Sequence, residues 1–250
     1  CRLIADKVKL ERQLAEKAKM AFLGEMAARI AHNVKNPLSS MKTVIQLLEE
    51  DASIPDRVRQ DCRLVAGEID RMNLNISQVL RYAKPPRDVD RPADLLAVAG
   101  RIINLMRPEA DRRGVRVEFI SDETSFWVEG GEEAASDVIS NLLVNALEAS
   151  PPGGNVRICL RNPLPAEGEV ELSMDDDGPG VPASDRAKIF QPFFTTRASG
   201  TGLGLAIVAR RAEEIGGTIE CVSPLSARGG SRFIARFRSV RVPAGSPPAA

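Results

Sequence analysis

The stretch "FQPFFTTRASGTGLGLAIV", Phe190 to Val208, places three glycines at alternate positions, Gly200, Gly202 and Gly204, and then opens a helix. Backbone N–H groups at a helix N-terminus bind phosphate without help from a charged side chain. A dinucleotide fingerprint has similar glycines, but it follows directly on a strand. Here a Thr/Arg/Ser loop precedes them. A glycine triplet alone decides little, so the reading turns on what surrounds it.

Two further pieces lie upstream. "DDDGPGVP", Asp175 to Pro182, puts carboxylates at a strand end, and Gly178 and Gly180 let backbone approach a ligand closely. A carboxylate there can accept a hydrogen bond from an amine such as the exocyclic amine of adenine. "NLLVNALEAS", Asn141 to Ser150, reads as helix, with Asn141 and Asn145 four apart on one face. Amide oxygens are hard ligands, suited to Mg²⁺ carrying phosphates. Two asparagines or an acidic turn are common anywhere. All three pieces in this order in one domain are not.

Around them, helices and strands alternate. Asp94 to Arg112 reads as helix, "VRVEFI" and "FWV" as strands, and Glu132 to Ser150 as helix. "NVRICLR" and "EVELSMD" are strands, Leu203 to Ile215 is helix, and "GTIECV" and "SRFIARF" close the pattern. The second domain is therefore α/β and spans 92–240. Residues 85–91, within the proline-rich "AKPPRDVDRP", form a linker, and 241–250 read as a disordered tail.

The N-terminal third is helical throughout. Between residues 3 and 50 only Gly24 and Pro37 oppose helix, which predicts one helix of about 45 residues, or roughly 70 Å. "EDASIPDR" turns the chain, and a second helix runs from Pro55 to Ala83. Its apolar residues Val58, Val65, Ile69, Met72, Ile76 and Val79 form a bundle seam. Two helices cannot bury both seams, so 21–84 is read as a hairpin that dimerises into a four-helix bundle. Residues 1–20 read as coiled coil entering from an upstream domain.

That hairpin carries the chain's one histidine, in "EMAARIAHNVKNPLSSMKTVIQLL", Glu25 to Leu48. Asn33 follows His32, and Asn36 lies one turn on, on the same face. Pro37 lacks an N–H, so the carbonyl of Asn33 loses its helical partner, which predicts a kink or loosened turn beside His32. A neutral imidazole nitrogen can attack phosphorus.

Composition bounds the rest. Lys and Arg number 34 and Asp and Glu 34, so no bulk field draws nucleic acid or anionic membrane. No apolar run approaches the roughly 18 to 20 residues that span a bilayer, and no secretory signal opens the chain. A cytosolic setting is expected. Cys1, Cys62, Cys159 and Cys221 form no CxxC pair and are expected as free thiols.

These motifs together resemble the catalytic core of a two-component sensor histidine kinase. "HNVKNP" resembles the phospho-acceptor box, "NLLVNALEA" the N box, "DDGPGVP" the first glycine box, "IFQPFF" the F box and "GTGLGL" the second glycine box. The nitrogen-regulation branch is the nearest in style. The resemblance implies an α+β chain, a dimeric helical hairpin followed by an ATP-binding α/β sandwich of the gyrase, chaperone and histidine-kinase type. It implies Mg²⁺ on Asn145, phosphates near Asn141, adenine against Asp176, and Gly178 and Gly180 lining the base. Residues 183–199 would form a lid. Gly200, Gly202, Leu203 and Gly204 would sit by the phosphates, and Arg197 would reach the γ-phosphate.

The implied activity is autophosphorylation of His32 and transfer to an aspartate of a response-regulator receiver domain in trans. Two departures shape it. Related ATPases carry a glutamate at the position of Asn141, and an amide cannot activate water as that glutamate does. Asn33 stands where the family has an acidic residue, so proton removal from His32 loses its base. Asn36 matches a position that orients water against a regulator's phospho-aspartate. The alternative is therefore a weak autokinase acting mainly as phosphatase or scaffold.

Overall fold

Positions 35, 42 and 49 face positions 77, 70 and 63 across the N-terminal hairpin. Lys35 Nζ donates to Ser77 Oγ at 2.8 Å, Lys42 Nζ meets Asp70 Oδ1 at 2.6 Å, and Arg63 Nε meets Glu49 Oε1 at 2.7 Å. Each step is one heptad, which fixes an antiparallel register. In this computed structural model the described residues are 31–51, 53–84, 91–162, 168–197, 200–226 and 229–240. The expected coiled coil of 1–20, the start of the first helix, residues 85–90 of the expected linker 85–91 and the tail of 241–250 lie outside them. The chain divides into two compact units, Cys1–Pro85 and Pro86–Ala250.

In the first unit, α1 spans 31–50 and α2 spans Asp56–Ala83. Helical geometry runs unbroken through Pro37, where a loosened turn was expected. Ala31 and Leu38, buried on either side, hold α1 against α2 there. The inner seam is heptadic: Ala31, Leu38 and half-buried Ile45 meet Cys62, Ile69, half-buried Ile76 and Ala83.

A second heptad stripe stays outside. Val34, Met41 and Leu48 on α1 and Val58, Val65, Met72 and Val79 on α2 are 39–56 % exposed. The seam expected on α2 therefore splits, with Ile69 and Ile76 inside and the other four outside. One helix neighbour can cover only one stripe.

The second unit opens with a two-residue strand, β1 (Ala93–Asp94), paired antiparallel with β3 (Trp127–Val128). The Asp94 carboxylate accepts from Leu96 N and Phe126 N, both at 3.0 Å, and so starts α3 (Leu95–Arg113) and pins β3 to it. The main sheet comprises β2 (Arg116–Ser121), β4 (Asn155–Arg161), β5 (Glu169–Asp176), β6 (Thr218–Val222) and β7 (Ser231–Arg238). Its order is β2-β4-β5-β7-β6, with β2 and β4 parallel and the other pairs antiparallel. The remaining helices are α4 (Gly131–Ala149) and α5 (Gly204–Glu214).

The sheet's two faces differ as an alternating pattern requires. Val156, Ile158, Leu160, Leu172, Met174, Phe233 and Phe237 join Val138, Leu142, Leu143 and Leu147 of α4 in one core. The opposite face carries charge in rows. Glu118, Arg157, Asp175 and Arg232 are consecutive cross-strand partners, alternating in sign over four strands. Arg157 Nε meets Glu118 at 2.9 Å, and Arg232 meets Asp175 through two bonds of 2.6 Å. Cys159, Ser173 and Ile234 form the next row and are buried beneath the long side chains around them.

Candidate active site

Asp176 ends β5 and is 3 % exposed. Burial pushes its carboxyl above the usual range. The N–H groups of Gly178 and Ser231 and the charge of Arg197 pull it back, and Asp177 adds to the rise. Oδ1 accepts from Gly178 N at 2.8 Å. A Cβ at Gly178 would stand 2.6 Å from that oxygen and 2.9 Å from the Cβ of Ala149, so only glycine lets the turn pass. Beyond it, Ser223 Oγ accepts from Val181 N at 2.7 Å and donates to Gly230 O at 3.0 Å, beside Gly180. Gly230 N donates to Gly178 O at 2.8 Å. The turn after β5 is thereby stitched to the approach to β7.

A second group of candidate residues lies on α4 and at the start of α5. The Asn141 amide donates through Nδ2 to Asp137 O at 2.7 Å, and its Oδ1 lies 3.4 Å from where a Cβ on Gly204 would stand. The first asparagine of α4 thus points at the first residue of α5. The N-cap residue of α5, Leu203, has no side-chain acceptor, and Thr201 Oγ1 accepts from Leu203 N at 3.4 Å, so the first turn beyond it presents backbone N–H groups. Gly202 has φ +66°, and a Cβ there would come within 2.4 Å of Phe193 C. Its carbonyl accepts from Phe193 N at 2.9 Å, which packs the glycine loop against the aromatic turn. Gly200 lies against Thr195 and Arg197. Arg197 reaches α4, donating to the Glu148 carboxylate and, at 3.3 Å, to Asn145 O.

A buried ion pair fixes this corner. Arg211, 2 % exposed, donates through Nε to Asp137 Oδ2 at 2.9 Å and through Nη1 to Glu214 at 2.7 Å. Asp137 therefore ties α4 to α5 with its side chain and orients Asn141 with its carbonyl. These parts suit a nucleotide: a buried carboxylate acceptor in Asp176, and an Asn141 amide beside the start of α5.

His32, Asn33 and Asn36 are all exposed on α1 in the other unit, with Asn36 one turn beyond His32. In the second unit Asn141 lies beside Gly204, Arg197 reaches Asn145, Gly200 lies against Arg197, and Gly202, just before Leu203, packs on the Phe193 turn, while Gly178, next to Asp176, meets Ala149 at the end of α4 and Gly180 lies by Ser223. Of the lid read over 183–199, residues 198 and 199 lie outside the described set. Cys62, Cys159 and Cys221 are free. The Cys221 thiol is pushed up to about 11, by burial first and by the charge of Asp176 second.

Residues 22–87 match the His Kinase A (phospho-acceptor) domain. Residues 130–241 match the Histidine kinase-, DNA gyrase B-, and HSP90-like ATPase family. Over 232 residues the chain is 32% identical to the sensor histidine kinase ZraS of Escherichia coli O157:H7, which covers 93% of this chain and 50% of that protein. The chain belongs to the sensor histidine kinases.

Among its relatives, sporulation kinase A of Bacillus subtilis is 29% identical over 217 residues, 86% of this chain and 35% of that protein. This sensor histidine kinase chain spans half or less of the length of those two relatives. The mycobacterial sensor histidine kinase MprB has a solved structure at TM-score 0.55 and 29% identity, covering 62% of this chain and 100% of that one. The histidine kinase ThkA, solved in complex with the response regulator protein TrrA, shares the fold at TM-score 0.63 and 24% identity, over 93% of this chain and 66% of that chain. The fold of a sensor histidine kinase core, a helical hairpin and an ATPase-family sandwich, is thus present in one chain. Sequence reasoning missed Asp137, Arg211 and Glu148 in it. The one local signal for the first is an aspartate set among Ala134, Ala135, Val138 and Ile139 in the helix.

Proposed function

We propose that this chain is the catalytic core of a homodimeric kinase that phosphorylates His32 from ATP and passes the phosphoryl group to an aspartate on a response regulator. The observation that carries the reading is the presence, in one chain, of an exposed His32 on a phospho-acceptor hairpin and of a buried Asp176 carboxylate together with an Asn141 amide beside the start of α5. The residues present fit the nucleotide. Asp176 would take the adenine amine. Asn141 and the first N–H groups of α5 would flank the phosphates. Gly200, Gly202 and Leu203 shape that approach.

Magnesium fits as well, with the Asn145 amide oxygen as one hard ligand. Among the described residues no group of three His, Cys, Asp or Glu side chains could hold a metal, and the phosphates and water would supply the ligands other than Asn145. The ion supplies charge neutralisation to a loose phosphoryl transition state. Asn141 leaves water without a base, which preserves the γ-phosphate for His32. The uncovered heptad stripe of Val34, Met41, Leu48, Val58, Val65, Met72 and Val79 supports the dimer. An upstream sensor would drive it. No described helix is long and apolar enough to cross a membrane, and we assign this core to the cytosolic side, with no direct nucleic-acid binding.

Asn33 favours a second reading. An exposed amide beside His32 can accept a hydrogen bond but takes no proton, and general-base help is worth roughly 10² to 10⁴-fold. The forward kinase should be slow, and Asn36 would then serve dephosphorylation of the regulator. The test is transfer of γ-labelled phosphate from Mg·ATP to the chain, beside His32→Gln and Asn33→Glu, with regulator dephosphorylation by Asn36→Ala. Acid-labile label absent from His32→Gln and faster in Asn33→Glu supports the kinase. Label retained in His32→Gln refutes it. Label confined to Asn33→Glu, with dephosphorylation lost in Asn36→Ala, selects the second reading.

A further inference from the structure

We infer that Glu148 is the resident counter-ion of Arg197 and sets how strongly the site prefers a nucleoside triphosphate to a diphosphate. This rests on the nucleotide reading above. Asn141, Asn145 and Glu148 are spaced by four and three on α4, which puts them on one face. The first two are the phosphate-side amides, and the third is a carboxylate. A bare carboxylate beside a polyphosphate repels it.

Here the carboxylate is covered. Arg197 Nη1 donates to Glu148 Oε2 while Nη2 donates to Asn145 O at 3.3 Å. The arginine's backbone is pinned as well. Its N–H donates to Thr195 Oγ1 at 3.1 Å, and that hydroxyl donates back to Arg197 O at 3.3 Å. The guanidinium also acts electrostatically on Asp176, at the base end of the site. Arg197 thus rests where a bound nucleotide would meet it.

The pair is exchangeable. The side chains of Arg197 and Glu148 are 35% and 39% exposed, so water screens the bond. A γ-phosphate on the face of Asn145 offers the guanidinium more charge and two oxygens in fork geometry. Taking it leaves Glu148 unpaired beside the phosphates, so triphosphate binding carries the cost of breaking the pair. A diphosphate has no γ group to make the exchange, so Arg197 stays on Glu148.

The test measures binding of a non-hydrolysable ATP analogue and of ADP, with Mg²⁺, by calorimetry on the whole chain. Glu148→Gln is expected to bind the triphosphate about two- to fivefold tighter, with ADP affinity unmoved. In an Arg197→Gln background the same change should lose its selectivity. Equal tightening of both nucleotides overturns the inference, because Glu148 would then be only a nearby negative charge. Weaker triphosphate binding overturns it too. A second measurement needs no nucleotide: labelling of Arg197 by phenylglyoxal, read by peptide mass. Reactivity should rise in Glu148→Gln, and unchanged reactivity refutes the pairing. Raised reactivity with neither nucleotide binding to any version refutes the nucleotide reading and the selectivity with it.

Discussion

Asp137→Ala should destabilise the second domain by about 3 kcal/mol. The carboxylate is the inner partner of Arg211, whose side chain is 2 % exposed and whose Nε lies 2.9 Å from Asp137 Oδ2. Removing one partner of a buried pair typically costs about 3 to 5 kcal/mol, because it strands a charge away from water. Arg211 keeps a second partner, Glu214, at 2.7 Å and 24 % exposed, so the low end applies. Urea unfolding checks this through the single tryptophan, Trp127, which lies in β3 of the same domain and so reports on that unit. Replacing both partners by apolar residues, Asp137→Leu with Arg211→Met, should recover most of the loss, since well-packed apolar substitutes for buried pairs are often neutral. A single substitution costing under about 1 kcal/mol would show that Arg211 relaxes to solvent and that the pair fixes nothing. A double variant as unstable as the single would place the cost elsewhere.

Gly202→Ala should lose stability and nucleotide affinity together. The left-handed backbone alone costs a non-glycine residue about 1 to 2 kcal/mol, and the new Cβ would stand 2.4 Å from Phe193 C. A thermal melt and nucleotide titration matching the unsubstituted chain would refute that. Asp176→Asn should show a pH-dependent gain. Burial raises the folded carboxyl above its ordinary value, so its contribution is complete below the ordinary carboxylate range and is lost as pH rises through the raised value. Asparagine has nothing to ionise. Its stability relative to aspartate should therefore improve as pH rises from the ordinary carboxylate range through the raised value, and a difference flat in pH would sink the argument.

Periodicity placed most elements within a residue or two. "NVRICLR" is β4 residue for residue, and the helix read over Glu132 to Ser150 is α4, Gly131–Ala149. Patterns repeating every two or 3.6 residues are local, so one chain segment is enough to show them. The two-residue β1 is invisible to periodicity because a pair that short has no period, and "FWV" reads as strand with nothing in the sequence to show its partner. The apolar pattern of α2 overstates its inner seam for a different reason. Val65 and Ile69 look alike in sequence, and only the position of α1 decides which is covered. The site divides the same way. Asn141, Asp176 and Gly202 sit in recognisable strings. The Arg211–Asp137 and Arg197–Glu148 pairs join positions 74 and 49 apart, and nothing local links their ends.

The charge rows on the sheet's open face reach further than its stability. The chain has 34 basic and 34 acidic residues, so two copies meet with no long-range repulsion to slow them. A row alternating in sign at the strand spacing repeats about every 10 Å, and its potential fades within roughly 2 Å of the surface. Such a face is quiet at a distance and selective only on contact. Diffusing molecules approaching that side feel neither pull nor push until they are close enough to match its period. Encounter is thus left to surfaces without such a lattice, of which the apolar stripe on the hairpin is one.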